Sequence, residues 1–419
     1  MNESNKKQNE KKARISSALV FIILLAIVSM FSDMTHEGSN SIIGAYQAII
    51  GTSPFVISVV SGLGMLIGFT LRLLTGYIVD KTKKYWLFTI LGYVFDLIWI
   101  PLLALVPENG WLLACAFIVM EKMGKAIKKP AKNALVSFAA KENGTGKSFA
   151  FSELLDQLGA FVGPLILSAT YLATSSLSDY NRYRIGFLVL GIPALICFIL
   201  LFTARIKYPH PETFEKENVS QKKGSVFNKR FVLFLIGSCL LAFGLVDFPL
   251  FIAHVDSLNL FNVEYLPLIY SFAMLIDAVS AMIFGLIYDK KGLLSIIVAT
   301  LLTSSFAFFF FFFNQYWSIF LGAGLWGIGM GAQESIVLSG VTDLTSKNNR
   351  AKAFGIFDIL FGLFWFLGSL LYGLLYEASL LALALVSLIS IIMSSSVFIY
   401  MEKSKLGIYK KTAQHDSEL

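Results

Sequence analysis

Charge is what this sequence has least of. Only 15 % of its 419 residues are Asp, Glu, Lys or Arg, where a soluble domain carries roughly 25 %. With 56 % apolar residues and a mean hydropathy of +0.71, that shortfall excludes an ordinary water-soluble globule and points to lipid as the main solvent. Cysteine is nearly absent. Cys115, Cys197 and Cys239 all lie inside apolar runs, and an odd number placed so gives neither a disulfide framework nor metal spacing. They read as packing residues, and no metal site is expected. Histidine is also scarce: His36, His210, His254 and His415 are scattered. His36-Glu37 begins a His-Glu-x-x-His string, but Asn40 stands where the second histidine belongs, so the metalloprotease pattern fails. A Walker-type phosphate loop is missing, which argues against direct use of ATP. So are the alternating apolar–polar runs of about ten residues that mark a membrane β-barrel. No cofactor is implied, and the chain is not expected to be an enzyme.

What is abundant is long apolar runs. They can be drawn at 16–46, 54–79, 84–106, 111–133, 147–173, 183–204, 230–256, 264–288, 293–313, 316–340, 351–375 and 379–401. Each is long enough to cross a hydrocarbon core of about 30 Å at roughly 1.5 Å per residue. Helices are the expected form, because a helix satisfies its own backbone in lipid. The opening bases Lys6, Lys7, Lys11, Lys12 and Arg14 imitate a signal peptide. The apolar run behind them is too long, and no small-x-small cleavage site follows, so it is expected to stay as the first helix.

The net charge of +7 is distributed in a way that excludes a nucleic-acid patch. All but three of the 34 Lys and Arg fall in the two termini, in the loops after even-numbered spans, or at helix ends facing those loops. Arg182 and Arg184 lie on the other side, and Arg72 inside a span. The positive-inside rule then puts both termini in the cytoplasm. The longest polar connection, Arg205 to Lys229, contains Pro209, Pro211 and Lys222-Lys223. It divides the chain into a tail (1–15), a six-helix bundle (16–204), a linker (205–229), a second six-helix bundle (230–401) and a second tail (402–419). The run Phe308 to Phe313 has no polar face and is expected to face lipid.

One stretch recurs. Gly76-Tyr77-Ile78-Val79-Asp80-Lys81-Thr82-Lys83-Lys84 has a near copy half a chain later in Gly285-Leu286-Ile287-Tyr288-Asp289-Lys290-Lys291-Gly292. Twelve spans in a six-plus-six arrangement, with a Gly-x-x-x-Asp-Lys loop after the second and eighth, resemble the major facilitator superfamily over essentially the whole chain. Thr82-Lys83-Lys84 departs from the family's usual x-Gly-Arg-Lys/Arg. Gly159-x-x-x-Gly163-Pro164 in the fifth span is similar to the core of the motif associated with antiporters. It lacks the surrounding glycines, so antiport does not follow. Asp33-Met-Thr-His-Glu37-Gly38, Gly124-Lys-Ala-Ile-Lys-Lys-Pro130-Ala, Glu153-Leu-Leu-Asp-Gln157-Leu-Gly159 and Met330-Gly-Ala-Gln-Glu334-Ser335 resemble a prokaryotic branch of unassigned substrate. The resemblance implies an all-α membrane protein of two pseudo-symmetric bundles, with the first, fourth, seventh and tenth spans lining a central cavity. Gly76, Asp80, Lys81 and Lys84, with Gly285, Asp289 and Lys290, then read as hinges or latches of the inner face, Gly76 permitting close helix approach.

An ionisable group at mid-membrane costs at least about 2.5–3.5 kcal/mol on insertion scales, so it faces a partner or a wet cavity. Asp33, His36, Glu37, Asn40, Ser41 and Gly44 follow i, i+3, i+4, i+7, i+8 and i+11, one polar face of the first span. This is the leading candidate for a substrate or proton wall, with structural ion pairing as the alternative. Asp247 lies as far behind Lys229-Arg230 as Asp33 behind Arg14, with His254 seven residues on. Two carboxylates at such depth on repeat-related helices would flank a site. Glu121, Lys125, Lys128 and Lys132 share a face of the fourth span, Glu121 and Lys125 in the favourable i,i+4 order. Glu153, Asp156 and Gln157 open the fifth span at the same level. The set reads as a structural network joining those two spans, or as one from which Lys125 reaches the cavity and attracts an anion. Arg72 and Asp358 lie at comparable depth and suggest a pair between the second and eleventh spans, closed in one access state; pairing of each within its own half is the alternative. Gln333 and Glu334 lie roughly 100° apart on the tenth span, so at most one fully faces a cavity, Glu334 being the stronger candidate. Asp96 and Asp277 read as structural.

The expectation is a monomeric, multi-pass secondary transporter of the cytoplasmic membrane. It moves a small solute by alternating access, coupled to protons as an efflux antiporter or symporter, and binds no nucleic acid. A non-transporting receptor on the same fold, or an integral membrane enzyme, is the rival class.

Overall fold

The computed structural model describes residues 3–143, 145–214, 229–345 and 350–404, and its regular structure is helical. The first half of the chain holds α1 (Glu3–Asn40), α2 (Ile43–Ile49), α3 (Pro54–Thr82), α4 (Tyr85–Leu97), α5 (Trp99–Leu102), α6 (Trp111–Asn143), α7 (Thr145–Ala173) and α8 (Asp179–Lys207). The second half holds α9 (Lys229–Gly244), α10 (Phe248–Ser257), α11 (Leu266–Lys291), α12 (Leu293–Thr303), α13 (Phe306–Phe312), α14 (Tyr316–Ala332), α15 (Leu338–Leu344), α16 (Arg350–Ala378) and α17 (Leu380–Lys403). Most of the expected 205–229 linker lies outside the described residues.

Ten stretches among the described residues are long and apolar enough to cross a membrane. They match the expected spans except the fourth and tenth. α6 is long enough, but Glu121, Lys122, Lys125 and Lys128 interrupt its apolar character. α14 is only 17 residues long and gives way to a π-helical turn, Gln333–Val337, before α15 resumes. The two exceptions are therefore helices whose polarity or geometry departs from a plain lipid-facing span.

Packing gathers the chain into two compact units, Met1–Ser53 with Leu63–Ser220 and Phe261–Ser271, and Pro54–Gly62 with Gln221–Leu260 and Phe272–Leu419. Each unit thus includes one short piece from the other half of the sequence. In the first, Ser168 donates to the Glu264 carbonyl at 2.7 Å and Ser271 to the Phe161 carbonyl at 3.0 Å. In the second, Ser58 donates to the Ser369 carbonyl at 2.6 Å.

The first unit is built on a backbone-to-backbone crossing of α1 and α7. A Cβ at Gly159 would lie 2.3 Å from the Met30 carbonyl oxygen, and one at Gly163 only 2.1 Å from that of Met34. This is the small-x-x-x-small device that lets membrane helices approach closely; here the stretch that resembles an antiporter motif seats α1. Phe21, Trp86, Leu135 and Cys197 form part of the apolar core beneath it. In the second unit α17 is stitched to α9 by serines. Ser387, Ser390 and Ser394 donate to the carbonyls of Gly244, Leu240 and Gly237 at 2.7, 2.8 and 2.7 Å.

The phenylalanine run does not simply face lipid. Phe310 and Phe311 are buried, and Phe310 stacks on Phe251 of α10 at 4.3 Å, while Phe312 and Phe313 are exposed. An all-apolar helix carries no sign of which side faces protein, and here rings on α10 take one face.

The α1–α7 crossing can be checked directly. Gly163→Val forces a side chain into the Met34 carbonyl, and overpacking of this kind costs about 1–3 kcal/mol. The variant is expected to unfold at a clearly lower Tm in detergent; an unchanged Tm would mean that these helices do not touch at Gly163.

Candidate functional site

Two glycines bring the buried charges of the first unit together. A Cβ at Gly92 would fall 2.4 Å from the backbone nitrogen of Lys128, and one at Gly124 2.2 Å from that of Asp96. α4 and α6 therefore meet backbone to backbone, and Asp96 and Lys128 face each other across the seam. Lys128 forms a buried ion pair with Asp96, which is 0 % exposed. It also donates to Ser32 of α1 at 2.5 Å and lies over the Tyr93 ring at 4.5 Å. Such a pair is tolerated in a low-dielectric interior only when further hydrogen bonds satisfy it, and Lys128 has them.

Lysines on either side of this pair reach other helices. Lys125 donates to Glu37 of α1 at 2.9 Å. Lys132 binds Asp156 of α7 at 3.2 Å and also Ser29, and Lys122 donates to Asn40 at 3.0 Å. The other oxygen of Glu37 accepts from Asn40 at 2.9 Å and from the Tyr270 hydroxyl at 2.6 Å. His36 is buried against Glu121, with Nε2 3.6 Å from Glu37. Asp33 is half-buried, in the field of Lys125, Lys128, Lys132 and Asp156.

The expected Glu121–Lys125 pair does not form. Glu121 turns to His36 and lies 3.6 Å from Lys122, while Lys125 crosses to Glu37. The network joins four helices instead of the expected two, because lysines three and four apart on α6 point at α1, α4 and α7 in turn. Glu153 is exposed. Asp96, expected to be merely structural, is at the centre. The polar face of the first span stops at Asn40: Ser41 donates to the Gly38 carbonyl at 2.6 Å, the helix ends, and Gly44 belongs to α2.

In the second unit the expected seventh span is broken. α9 ends at Gly244, and Asp247 sits in extended geometry (φ −68°, ψ 137°) before α10, with Pro249 in its first turn. Its carboxylate accepts from Trp365 Nε1 at 2.7 Å and from the Ser369 hydroxyl. Trp326 Nε1 donates to the freed Val246 carbonyl at 3.0 Å. His254 is not on one helical face with Asp247; it is buried, 3.1 Å from the Tyr376 hydroxyl. In the π-helical turn Gln333 is half-buried with Oε1 lacking a hydrogen-bond partner, while Glu334 is exposed. The π turn re-aims successive side chains, so the two residues differ in exposure.

The recurring loop residues Asp80, Lys81, Lys84, Asp289 and Lys290 are exposed, and Gly285 is half-buried. A Cβ at Gly76 would meet Pro130 at 3.8 Å, an ordinary contact, so close approach does not require glycine there. Tyr288 is buried and donates to Asp343 at 3.1 Å. Arg72 lies over the Phe69 ring at 4.9 Å, and Asp358 is half-buried. Sequence reasoning missed Arg182–Glu264, at 2.5 Å, with Arg182 also donating to the Tyr171 carbonyl at 2.9 Å and Asp179 at 3.1 Å. Its signal was available: Arg182 is one of the two bases that the charge pattern of the sequence sets apart from the rest.

Comparison with known proteins places this geometry. The family profile described as Major Facilitator Superfamily matches residues 22–313 and 261–415. An uncharacterised protein of Mycobacterium tuberculosis is 31 % identical over 375 residues, 88 % of this chain and 90 % of that one. An uncharacterised transporter of the same superfamily type from Methanocaldococcus jannaschii is 26 % identical over 391 residues, 90 % of this chain and 93 % of its own. Among solved structures, the nucleoside transporter NupG superposes with a TM-score of 0.69 at 16 % identity, covering 93 % of this chain and 100 % of that one. A POT family transporter in complex with 5-aminolevulinic acid gives 0.71 at 14 %, covering 91 % and 95 %. These structures share the fold.

The central ion pair makes a specific prediction. Asp96→Asn leaves the Lys128 charge buried without its counter-ion, a loss of about 3–5 kcal/mol, and is expected to lower the Tm sharply. Adding Lys128→Met removes the stranded charge and should restore most of the loss. A single variant as stable as the parent would mean that the pair does not hold α4 to α6.

Proposed function

This chain belongs to the Major Facilitator Superfamily and is a multi-pass membrane transporter; from that premise we propose that it moves a small solute across the cytoplasmic membrane by alternating access, with protons as the coupling ion. The observation that carries the proposal is the Glu37 carboxylate. It lies within a helix that crosses the membrane, and its two oxygens accept from Lys125, Asn40 and Tyr270. A carboxylate bound by a lysine, an amide and a phenol can exchange those partners for a solute or a proton, provided water reaches it. Lys125 keeps 31 % of its side chain exposed, against 6 % for Lys128, so this is the pair in the network that an incoming group can contest.

On this reading Asp33, His36, Glu37, Asn40 and Lys125 are the solute- and proton-binding groups of the first unit. Asp247, Gln333 and Glu334 are the corresponding candidates within the second. Transporters of this design place such groups on broken helices near the membrane midplane, and Asp247 and Gln333 both sit at helix irregularities. Gly76, Asp80, Lys81 and Lys84, and Gly285, Asp289 and Lys290, act at the inner face as conformational latches. The solute is an ordinary metabolite-sized molecule with at least one group able to bond a lysine or a carboxylate.

A thermal-shift screen of the purified protein against metabolite and drug panels at two pH values identifies the solute, since a ligand that binds only the folded state raises apparent stability. With that solute in proteoliposomes, an imposed pH gradient is expected to drive flux. Glu37→Gln, and to a lesser degree Asp33→Asn and Asp247→Asn, should abolish the gradient-driven part while leaving solute binding measurable. If all three carry pH-driven flux at the parent rate, these carboxylates are not the proton site.

A further inference from the structure

Three buried donor atoms in the first unit point at one another without a hydrogen bond. His36 Nδ1, Asp96 Oδ1 and Glu121 Oε1 come from α1, α4 and α6, and all lie within 4.8 Å of each other. Their residues are 2 %, 0 % and 5 % exposed. None of the three atoms has a hydrogen-bond partner; Nδ1 is in ion-pair contact with Oε1 and stands 3.8 Å from Oδ1. Leaving one such atom unsatisfied costs about 1–3 kcal/mol, more where it carries charge. Three converging on one point call for a common partner.

The outer oxygens and nitrogen of the same side chains are already engaged. Asp96 Oδ2 is bound by Lys128 and Ser32, and Glu121 Oε2 lies 3.6 Å from Lys122. His36 Nε2 faces Glu37 Oε1 at 3.6 Å. This is the pattern of a metal centre, in which a ligating histidine turns its far nitrogen to a carboxylate and ligating carboxylates are themselves held by donors. The lysines do not bar a cation. Asp33, Glu37, Asp96, Glu121 and Asp156 together face Lys122, Lys125, Lys128 and Lys132, one carboxylate in excess. A small cavity lined by Ser39, Asn40, Trp99, Phe117 and Glu121 opens beside Glu121.

We propose that His36, Asp96 and Glu121 bind one divalent transition-metal ion of the zinc class. One imidazole with two carboxylates suits zinc or its first-row neighbours, whereas magnesium and calcium prefer oxygen alone. Zinc bonds to such donors are about 2.0–2.2 Å long, so closing the triad on an ion needs only small side-chain rotations. Three protein ligands leave a position open for a further ligand. The ion ties α1 to the α4–α6 seam and keeps the His36 proton on Nε2, toward Glu37.

The test uses tag-free full-length protein in detergent, stripped with chelator and then dialysed against Zn2+ or Co2+. About one Zn2+ per chain is expected by elemental analysis, with a raised Tm. The zinc X-ray absorption spectrum should show one imidazole and otherwise oxygen. His36→Gln and Glu121→Gln should each weaken Zn2+ binding at least as much as loss of an outer-shell partner, about 10–100-fold, whereas His254→Gln should leave it unchanged. Circular dichroism confirms that the variants are folded. If they are not, the spectrum of the unaltered protein decides. A folded wild-type protein that retains no Zn2+, a shell without imidazole, or binding that survives His36→Gln overturns the proposal. No flux is measured, so the result stands apart from the transport reading.

Discussion

The buried ion pair between Lys128 and Asp96 is the constraint that the first unit is arranged around. In water such a pair contributes little. With Asp96 fully enclosed, each partner without the other would cost several kcal/mol, so α4 and α6 have to meet. Glycines at 92 and 124 let them meet at backbone distance, and the rest follows from helical spacing. Once Lys128 is fixed, Lys125 and Lys132 point to α1 and α7, where Glu37 and Asp156 wait. Apolar surface alone does not choose this arrangement, because lipid tails are as good a solvent for leucine as another helix is. Polar contacts choose it.

The second unit meets the same requirement in part with hydroxyl groups. Its serines on α17 reach three carbonyls of α9 in register, each a modest interaction that gains specificity from the absence of competing water. Where its backbone breaks, between α9 and α10, indole groups take over: Trp326 satisfies Val246, and Trp365 satisfies Asp247. A helix interrupted at membrane depth is tolerated only where protein covers the freed groups. The break at Asp247 is covered in this way.

Hydropathy made the spans legible, because lipid acts on each helix separately and a run of apolar residues is visible without its neighbours. Which lysine meets which acid was not legible. Lys125 and Glu121 satisfy the local i,i+4 rule, yet cross-helix partners win once water is excluded. A signal did exist: Gly92 and Gly124 each stand one turn ahead of a buried charge, Asp96 and Lys128, marking both as seam positions. The break after Asn40 and the π turn at Gln333 left no comparable trace, since both depend on backbone groups finding partners elsewhere. Pro249 marks the third irregularity but not its exact place. The phenylalanine run misled for the opposite reason: it has too little pattern to say which face meets rings.

The network also divides its own labour by depth. Lys128 and Asp96 are almost fully enclosed, whereas Lys125 keeps nearly a third of its side chain exposed and Glu37 keeps 15 %. An electrostatic pair weakens as solvent reaches it, so the two ion pairs respond differently to anything that enters. The inner one holds three helices in place. The outer one is the more open of the two, and Tyr270 is bonded to the same carboxylate. A transporter needs a group that changes partners while the scaffold around it does not, and on the proposed reading a difference in burial separates the two roles.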